Sequence, residues 1–231
     1  MDKPIIGIVT RPLKDTLERS VDTVTDTCRR AILKNGGIPV GILPTQEINY
    51  YDTLTKDIPD LSLDEKDMII SQIDLCDGIF MQGGKRWFKY DEFILDYATK
   101  NNIPLLGICM SMQLMGRMDL MNNGDMTPLI KVKGHATEGK YVHDIIIDKS
   151  SLLYEIVGKT SLQVNSRHSY ALPYTKSLKV SATSSDGVVE AIENTSNNFT
   201  MGLQWHPELM ISYDEDENKI LKYFIDKPKK R

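Results

Sequence analysis

Four short runs of apolar, largely β-branched residues recur through the first half of the chain, at residues 5–10, 38–44, 76–81 and 103–108. Each is too short for a stable helix and is bounded by Gly, Pro, Asp or Asn. Each therefore predicts a buried strand. Helix-spaced segments separate them. Residues 22–35 place Val24, Cys28, Ala31 and Ile32 on one face and stop at Gly36-Gly37. Residues 64–73 and 91–101 follow suit, the latter with Phe93, Ile94, Tyr97 and Ala98 apolar. Strands alternating with helices predict a parallel sheet built from crossovers. The prolines in 38–44 put that strand near an edge, and the polar, turn-rich residues 49–63 read as a surface connection.

The second half changes character. Short strand signals fall at 142–147, 163–165, 178–183, 188–192 and 201–205, with a hairpin turn at Asp186-Gly187. A closing helix is expected over 219–225, and residues 122–140, rich in Gly, Asn and Lys, read as a flexible loop. The expected fold is α/β: a single domain with a central mostly parallel sheet flanked by helices and a small antiparallel β portion in the second half. That domain spans residues 1–226, and 227–231 form a basic, solvated C-terminal tail.

Composition narrows the function. Of 231 residues, 41% are hydrophobic and 26% charged, a globular balance. A formal net charge of −4 lacks the basic excess of a nucleic-acid protein. No apolar run approaches the ~18 residues of a membrane span, and the first residues lack the features of a signal peptide. Three cysteines, Cys28, Cys76 and Cys109, are too few and too odd for a disulfide framework. A reducing, cytoplasmic setting is expected, with no nucleic-acid or membrane partner, and one thiol is free to be kept for reactivity.

Cys109 is the candidate. The strand at 103–108 carries Gly107, and helix-forming residues run from Met110 to Met121. This predicts a strand–turn–helix elbow with Cys as nucleophile, small residues (Gly107, Ser111) letting strand and helix pass closely. The helix N-terminus then faces the sulfur, and the Met110 N–H is available to an oxyanion. Cys28, on a helix face, and Cys76, at a strand start, have no elbow. A thiol nucleophile needs an imidazole, and the imidazole needs an orienting group. Among His135, His143, His168 and His206, the last stands just past a predicted strand in Gln204-Trp205-His206-Pro207-Glu208, with Glu208 positioned to turn back on its ring. Gly83-Gly84, at the end of the strand before the elbow, can present a second N–H to a ligand.

Together these segments resemble the class I glutamine amidotransferase superfamily, with its strand-end Gly-Gly loop, Cys elbow and terminal Gln-Trp-His-Pro-Glu. Within it the chain is most similar to the γ-glutamyl-γ-aminobutyrate hydrolase group. The opening Lys-Pro-Ile-Ile-Gly-Ile-Val-Thr, His143 to Ile147, Val164-Asn165-Ser166-Arg167-His168 and Glu190-Ala191-Ile192-Glu193 carry that likeness. The resemblance implies Cys109 as nucleophile, His206 as base, Glu208 as its orienter, and Gly84 and Met110 as oxyanion donors. It implies substrate contacts from Gly83, Gln113, Asn165, Ser166 and His168. It implies neither cofactor nor metal, and His135 and His143 read as scattered.

Three features depart from the group. Met110-Ser111 follows the Cys where Arg-Gly is usual, Met recurs six times between residues 110 and 126, and Lys85-Arg86-Trp87 follows Gly84. Helical spacing makes most of these Met residues core, and the two cations could read an anionic acceptor moiety. The implied activity is cysteine-dependent hydrolysis of the γ-glutamyl amide bond of a small compound through a thioester, releasing glutamate and an amine. The alternative is a glutaminase subunit supplying ammonia to a separate synthetase. A non-catalytic binding module and a redox sensor with an elbow cysteine are weaker rivals, because both leave His206 and Glu208 unused. A homodimer is common for such folds.

Overall fold

The computed structural model describes residues 3–47, 59–196 and 198–227. In chain order they form β1 (Ile5–Val9), β2 (Arg11–Lys14), β3 (Ser20–Thr23), α1 (Asp26–Lys34), β4 (Ile38–Ile42), α2 (Leu63–Asp74), β5 (Gly78–Met81), α3 (Lys89–Lys100), β6 (Leu105–Ile108) and α4 (Met110–Asn122). Then come β7 (Ile130–Lys131), β8 (His143–Ile147), α5 (Leu152–Val157), β9 (Ser161–Val164), β10 (Tyr170–Ala171), β11 (Lys179–Ser184), β12 (Val189–Glu193), β13 (Thr200–Leu203), a 3₁₀ turn (Pro207–Leu209) and α6 (Glu215–Ile225).

One sheet dominates, in the order β4-β1-β5-β6-β13-β12-β11-β8-β9. From β4 to β13 every neighbouring pair is parallel, and from β13 to β9 every pair is antiparallel. Among the parallel strands, β1, β5, β6 and β13 are buried on both faces, which is why they read as apolar runs, while β4 is partly exposed. Alternate side chains serve opposite layers. Ile6, Ile8, Phe80, Leu106 and Ile108 pack with α1 and α6. Val9, Ile79, Met81 and Leu105 pack with α2, α3 and α4. Phe80 and Phe224, both fully buried, meet at 6.5 Å between ring centroids. Burying each contributes about 1.5–3 kcal/mol.

The strand at 38–44 ends at Ile42 and stands at the sheet edge, as its prolines require. The Asp186-Gly187 turn joins β11 to β12 with Gly187 at φ 85°. Elsewhere the structure corrects the sequence reading. Residues 20–23 are a strand paired with β2, not the start of a helix; α1 begins at Asp26. The reason is a distant side chain: the Gln82 amide donates to the carbonyls of Val9 and Thr23 and accepts from the Thr25 N–H. The closing helix starts at Glu215 because Asp214 caps it. α5 was not expected, although Ser151 and Gly158 (φ 68°) supply its start and stop. Residues 122–140 contain β7, which pairs with β10. Most of the 49–63 connection and residues 228–231 of the tail lie outside the described residues.

Candidate active site

The parallel strands β5, β6 and β13 are neighbours, so their C-terminal ends open onto one place. β5 delivers Gln82-Gly83-Gly84, β6 delivers Cys109, and β13 delivers Gln204-Trp205-His206. Open α/β sheets bind ligands at this edge.

Cys109 has φ 53° and ψ −106° and directly precedes α4. A non-glycine residue held at such angles stores roughly 1–3 kcal/mol of strain, which the surroundings must over-determine. They do so with two backbone bonds: the Cys109 N–H donates to the Leu203 carbonyl at 2.7 Å, and its carbonyl accepts from the Gln113 N–H at 3.0 Å. Gly107 is required because a Cβ there would lie 2.9 Å from Met115 Sδ. Ser111 packs beside it, its Cβ 3.4 Å from where a Gly107 Cβ would stand. Its buried hydroxyl donates to the Gln82 carbonyl and accepts from Arg11 Nη2, both at 3.0 Å. Cys109 is 7% exposed, and its sulfur has Gln204 Nε2 at 3.6 Å.

His206 faces this sulfur. Its Nδ1 lies 2.7 Å from Glu208 Oε1, the carboxylate being carried back by the 3₁₀ turn. Asn165 clamps the histidine's backbone, accepting from its N–H at 2.9 Å and donating to its carbonyl at 2.7 Å. Burial pushes the imidazole's pKa down. The Glu208 charge and the hydrogen bond with Cys109 outweigh it and hold the ring protonated up to about 10. Gly83 walls the pair: a Cβ there would stand 2.9 Å from His206 Cε1 and 3.5 Å from Cys109 Cβ. The other thiols are inert by comparison. Cys28 is buried, and burial together with the Glu208 charge pushes its pKa well above the usual thiol range. Cys76 is 2% exposed.

Arg11, which sequence reasoning missed, underlies the site. Its guanidinium donates to the Gln82 carbonyl at 2.7 Å and pairs with Asp91 at 2.5 Å. A Cβ on Gly84 would come within 3.3 Å of it. Arg11 thus ties the Gly-Gly loop to the elbow and to α3. Nothing local in the sequence marks it, since Gln82 lies 71 residues away.

The expected substrate contacts fare differently. Gln113 donates to the Tyr170 carbonyl (2.6 Å) and to Gln204 Oε1 (3.1 Å). Ser166 is fully buried and bonded to the His135 carbonyl at 2.6 Å. Asn165 holds the His206 backbone, and His168 is buried. Gly83 and Gly84 remain on the open side of the site. Lys85 is exposed, whereas Arg86 lies over the Phe88 ring at 4.7 Å and Trp87 packs on the core. Met110, Met112 and Met115 are buried and Met118 packs against the core cluster that holds Met112 and Met115, while Met121 and Met126 are exposed. His135 and His143, expected to be scattered, converge with His168 on Glu190.

A family model described as Peptidase C26 matches residues 89–208, just over half of the chain. The chain is 32% identical to Protein NtpR of Enterococcus hirae, over 59% of this chain and 60% of that protein. It is 29% identical to a Schizosaccharomyces pombe protein named as a glutamine amidotransferase, over 59% of this chain and 55% of that one. The chain thus matches less than two thirds of the length of these relatives. Among solved structures, the glutaminase domain of Trypanosoma brucei CTPS, with bound acivicin, superposes at a TM-score of 0.63 over 96% of this chain and 92% of that chain, at 21% identity.

Proposed function

The chain belongs to the Peptidase C26 family, and on that premise we propose that it is a cysteine-dependent amide hydrolase cleaving the γ-glutamyl amide bond of a small γ-glutamyl compound. The observation that carries this reading is the Cys109 sulfur, raised on a strained elbow at the head of α4 and facing an imidazole that Glu208 holds protonated. In the proposed reaction the Cys109 thiolate attacks the γ-carbonyl. The N–H groups of Gly84 and Met110 hold the developing oxyanion, each contributing roughly 2.7–4 kcal/mol. His206 gives its proton to the departing amine, leaving a γ-glutamyl thioester. The now neutral imidazole takes a proton from water, whose oxygen attacks the thioester, and glutamate leaves as the thiolate is restored. Three cysteines outside any disulfide bond suit the reducing, cytoplasmic setting this proposal assumes.

The test is incubation with a mixed pool of γ-glutamyl amides and identification of the amines released. Turnover of at least one amide by the native chain, and none by Cys109→Ala, is expected; equal turnover by the variant overturns the reading. The likeness to a CTPS glutaminase domain favours a second reading, an ammonia-donating glutaminase serving a separate synthetase. Hydrolysis of free glutamine in preference to every substituted amide selects it.

A further inference from the structure

Behind the site, four side chains from separate segments point at one another. His135 comes from the loop after β7, His143 opens β8, His168 follows β9, and Glu190 lies on β12. Each offers one ligand atom, and the four atoms lie within 4.8 Å of one another. Glu190 Oε1 is 3.3 Å from His135 Nδ1, 3.5 Å from His143 Nε2 and 3.6 Å from His168 Nε2. Tetrahedral zinc with bonds of about 2.0–2.1 Å has ligand–ligand edges of about 3.4 Å.

The outward nitrogens define the inward ones. His168 Nδ1 is 3.0 Å from the Tyr170 carbonyl, His143 Nδ1 is 3.3 Å from the Asp144 carbonyl, and His135 Nε2 is 3.1 Å from Asp186 Oδ2. Carbonyls and carboxylates only accept, so a hydrogen bond at each of these nitrogens requires the ring proton there. A neutral imidazole held this way turns its lone pair inward. Orienting partners of this kind, a carboxylate or a backbone carbonyl on the far nitrogen, are the usual support of metal-ligating histidines. Ser166 Oγ lies 3.4 Å from His135 Nδ1, and the remaining inward atoms have no hydrogen-bond partner. Glu190 is fully buried, and neither of its oxygens, nor His143 Nε2 or His168 Nε2, makes a hydrogen bond. A buried carboxylate surrounded by lone pairs is strongly unfavourable unless something positive stands among them.

We propose that His135, His143, His168 and Glu190 form a closed, four-ligand site for a divalent transition metal, zinc foremost. Three imidazoles and one carboxylate leave no open position, so the site is structural rather than catalytic. Its charge is balanced by Glu190 within and Asp186 just outside. Its place explains its use. Ser166 is bonded to the His135 carbonyl, and the His168 N–H donates to the same carbonyl at 3.0 Å. The cation fastens this loop to β12, and the loop carries Asn165, which clamps His206. The proposal does not depend on the substrate reading, because its readout is metal content and not turnover.

Untagged chain, purified without chelator and dialysed against zinc, is analysed by elemental mass spectrometry, then stripped and titrated with Zn²⁺ and with Co²⁺. The site predicts about one equivalent per chain, a thermal midpoint that falls on stripping and recovers with zinc, and the intense visible bands of four-coordinate cobalt. Glu190→Gln should lose the metal. Asp186→Asn, a conservative change at a half-exposed residue, should keep the fold and bind about 10–100-fold more weakly. A native chain that stays metal-free after dialysis, or metal bound equally well by Glu190→Gln, overturns the proposal and leaves a protonated histidine–glutamate cluster in its place.

Discussion

Gly83 stands where any side chain would strike His206, and this makes it the sharpest probe at the residue scale. In Gly83→Ala the new methyl would push the ring away from Cys109. A displacement of about 1 Å at a reacting group costs on the order of 100-fold in rate. The expected result is that loss in kcat/KM with an unchanged circular dichroism spectrum, and full activity would place the imidazole's work elsewhere. Glu208→Gln tests the electrostatics. The Glu208 charge favours the protonated ring, so removing it lowers the His206 pKa. The basic limb of the kcat/KM profile, set by loss of that proton near pH 10, should move to lower pH; a limb that does not move contradicts the assignment. Cys109, His206 and Glu208 were legible in the sequence because each is bracketed by local chemistry: the Gly-x-Cys elbow, and His-Pro-Glu on one turn. Arg11 was not, and Asn165 was expected against substrate instead of against His206, since Arg11 reaches Ser111 across 100 residues and Asn165 reaches His206 across 41. The histidines looked scattered for the same reason, because only the sheet brings β8, the loop after β9, and β12 together.

At the scale of elements, α4 is seated by a close approach at Gly116, where a Cβ would lie 2.3 Å from Leu172 Cδ1. Gly116→Ala is therefore overpacked and should cost about 1–3 kcal/mol, read as a lower midpoint in chemical denaturation. An unchanged midpoint would mean that Leu172 moves aside freely. The Arg11–Asp91 pair joins β2 to α3, with Asp91 fully buried. Asp91→Ala leaves the guanidinium buried without its partner and should cost about 3–5 kcal/mol in the same measurement. Periodicity found α2, α3 and the inner parallel strands because burial on both faces writes itself into continuous apolar runs. It misplaced the start of α1 because β3 is extended through pairing with β2 and through Gln82, neither of which leaves a local mark.

Across the whole molecule, the parallel half of the sheet carries the candidate site and the antiparallel half braces it. α6 closes the layer behind them, and there Trp205 Nε1 donates to Glu217 Oε2 at 2.9 Å inside the core. Burial, with Asp214, Asp216 and Glu208 nearby, outweighs that bond and pushes the Glu217 pKa up to about 8. A folded-state pKa above the unfolded 4.5 means that the protonated carboxyl stabilises the fold. That contribution is complete below about pH 4.5 and disappears as pH rises through about 8. His206, raised in the same sense, loses its contribution later, as pH climbs through about 10. Glu217→Gln should therefore raise the thermal midpoint at pH 8 relative to the native chain and change it little at pH 5; an equal effect at both values would mean the carboxyl is not the cause. The account as a whole rests on the sulfur of Cys109, and the most direct measurement catches it in the act. Enzyme acid-quenched during turnover of a γ-glutamyl amide and digested for peptide mass spectrometry should carry one γ-glutamyl group, on the peptide containing Cys109. An adduct spread over Cys28 and Cys76 as well, or turnover with no acylated cysteine at all, would contradict it.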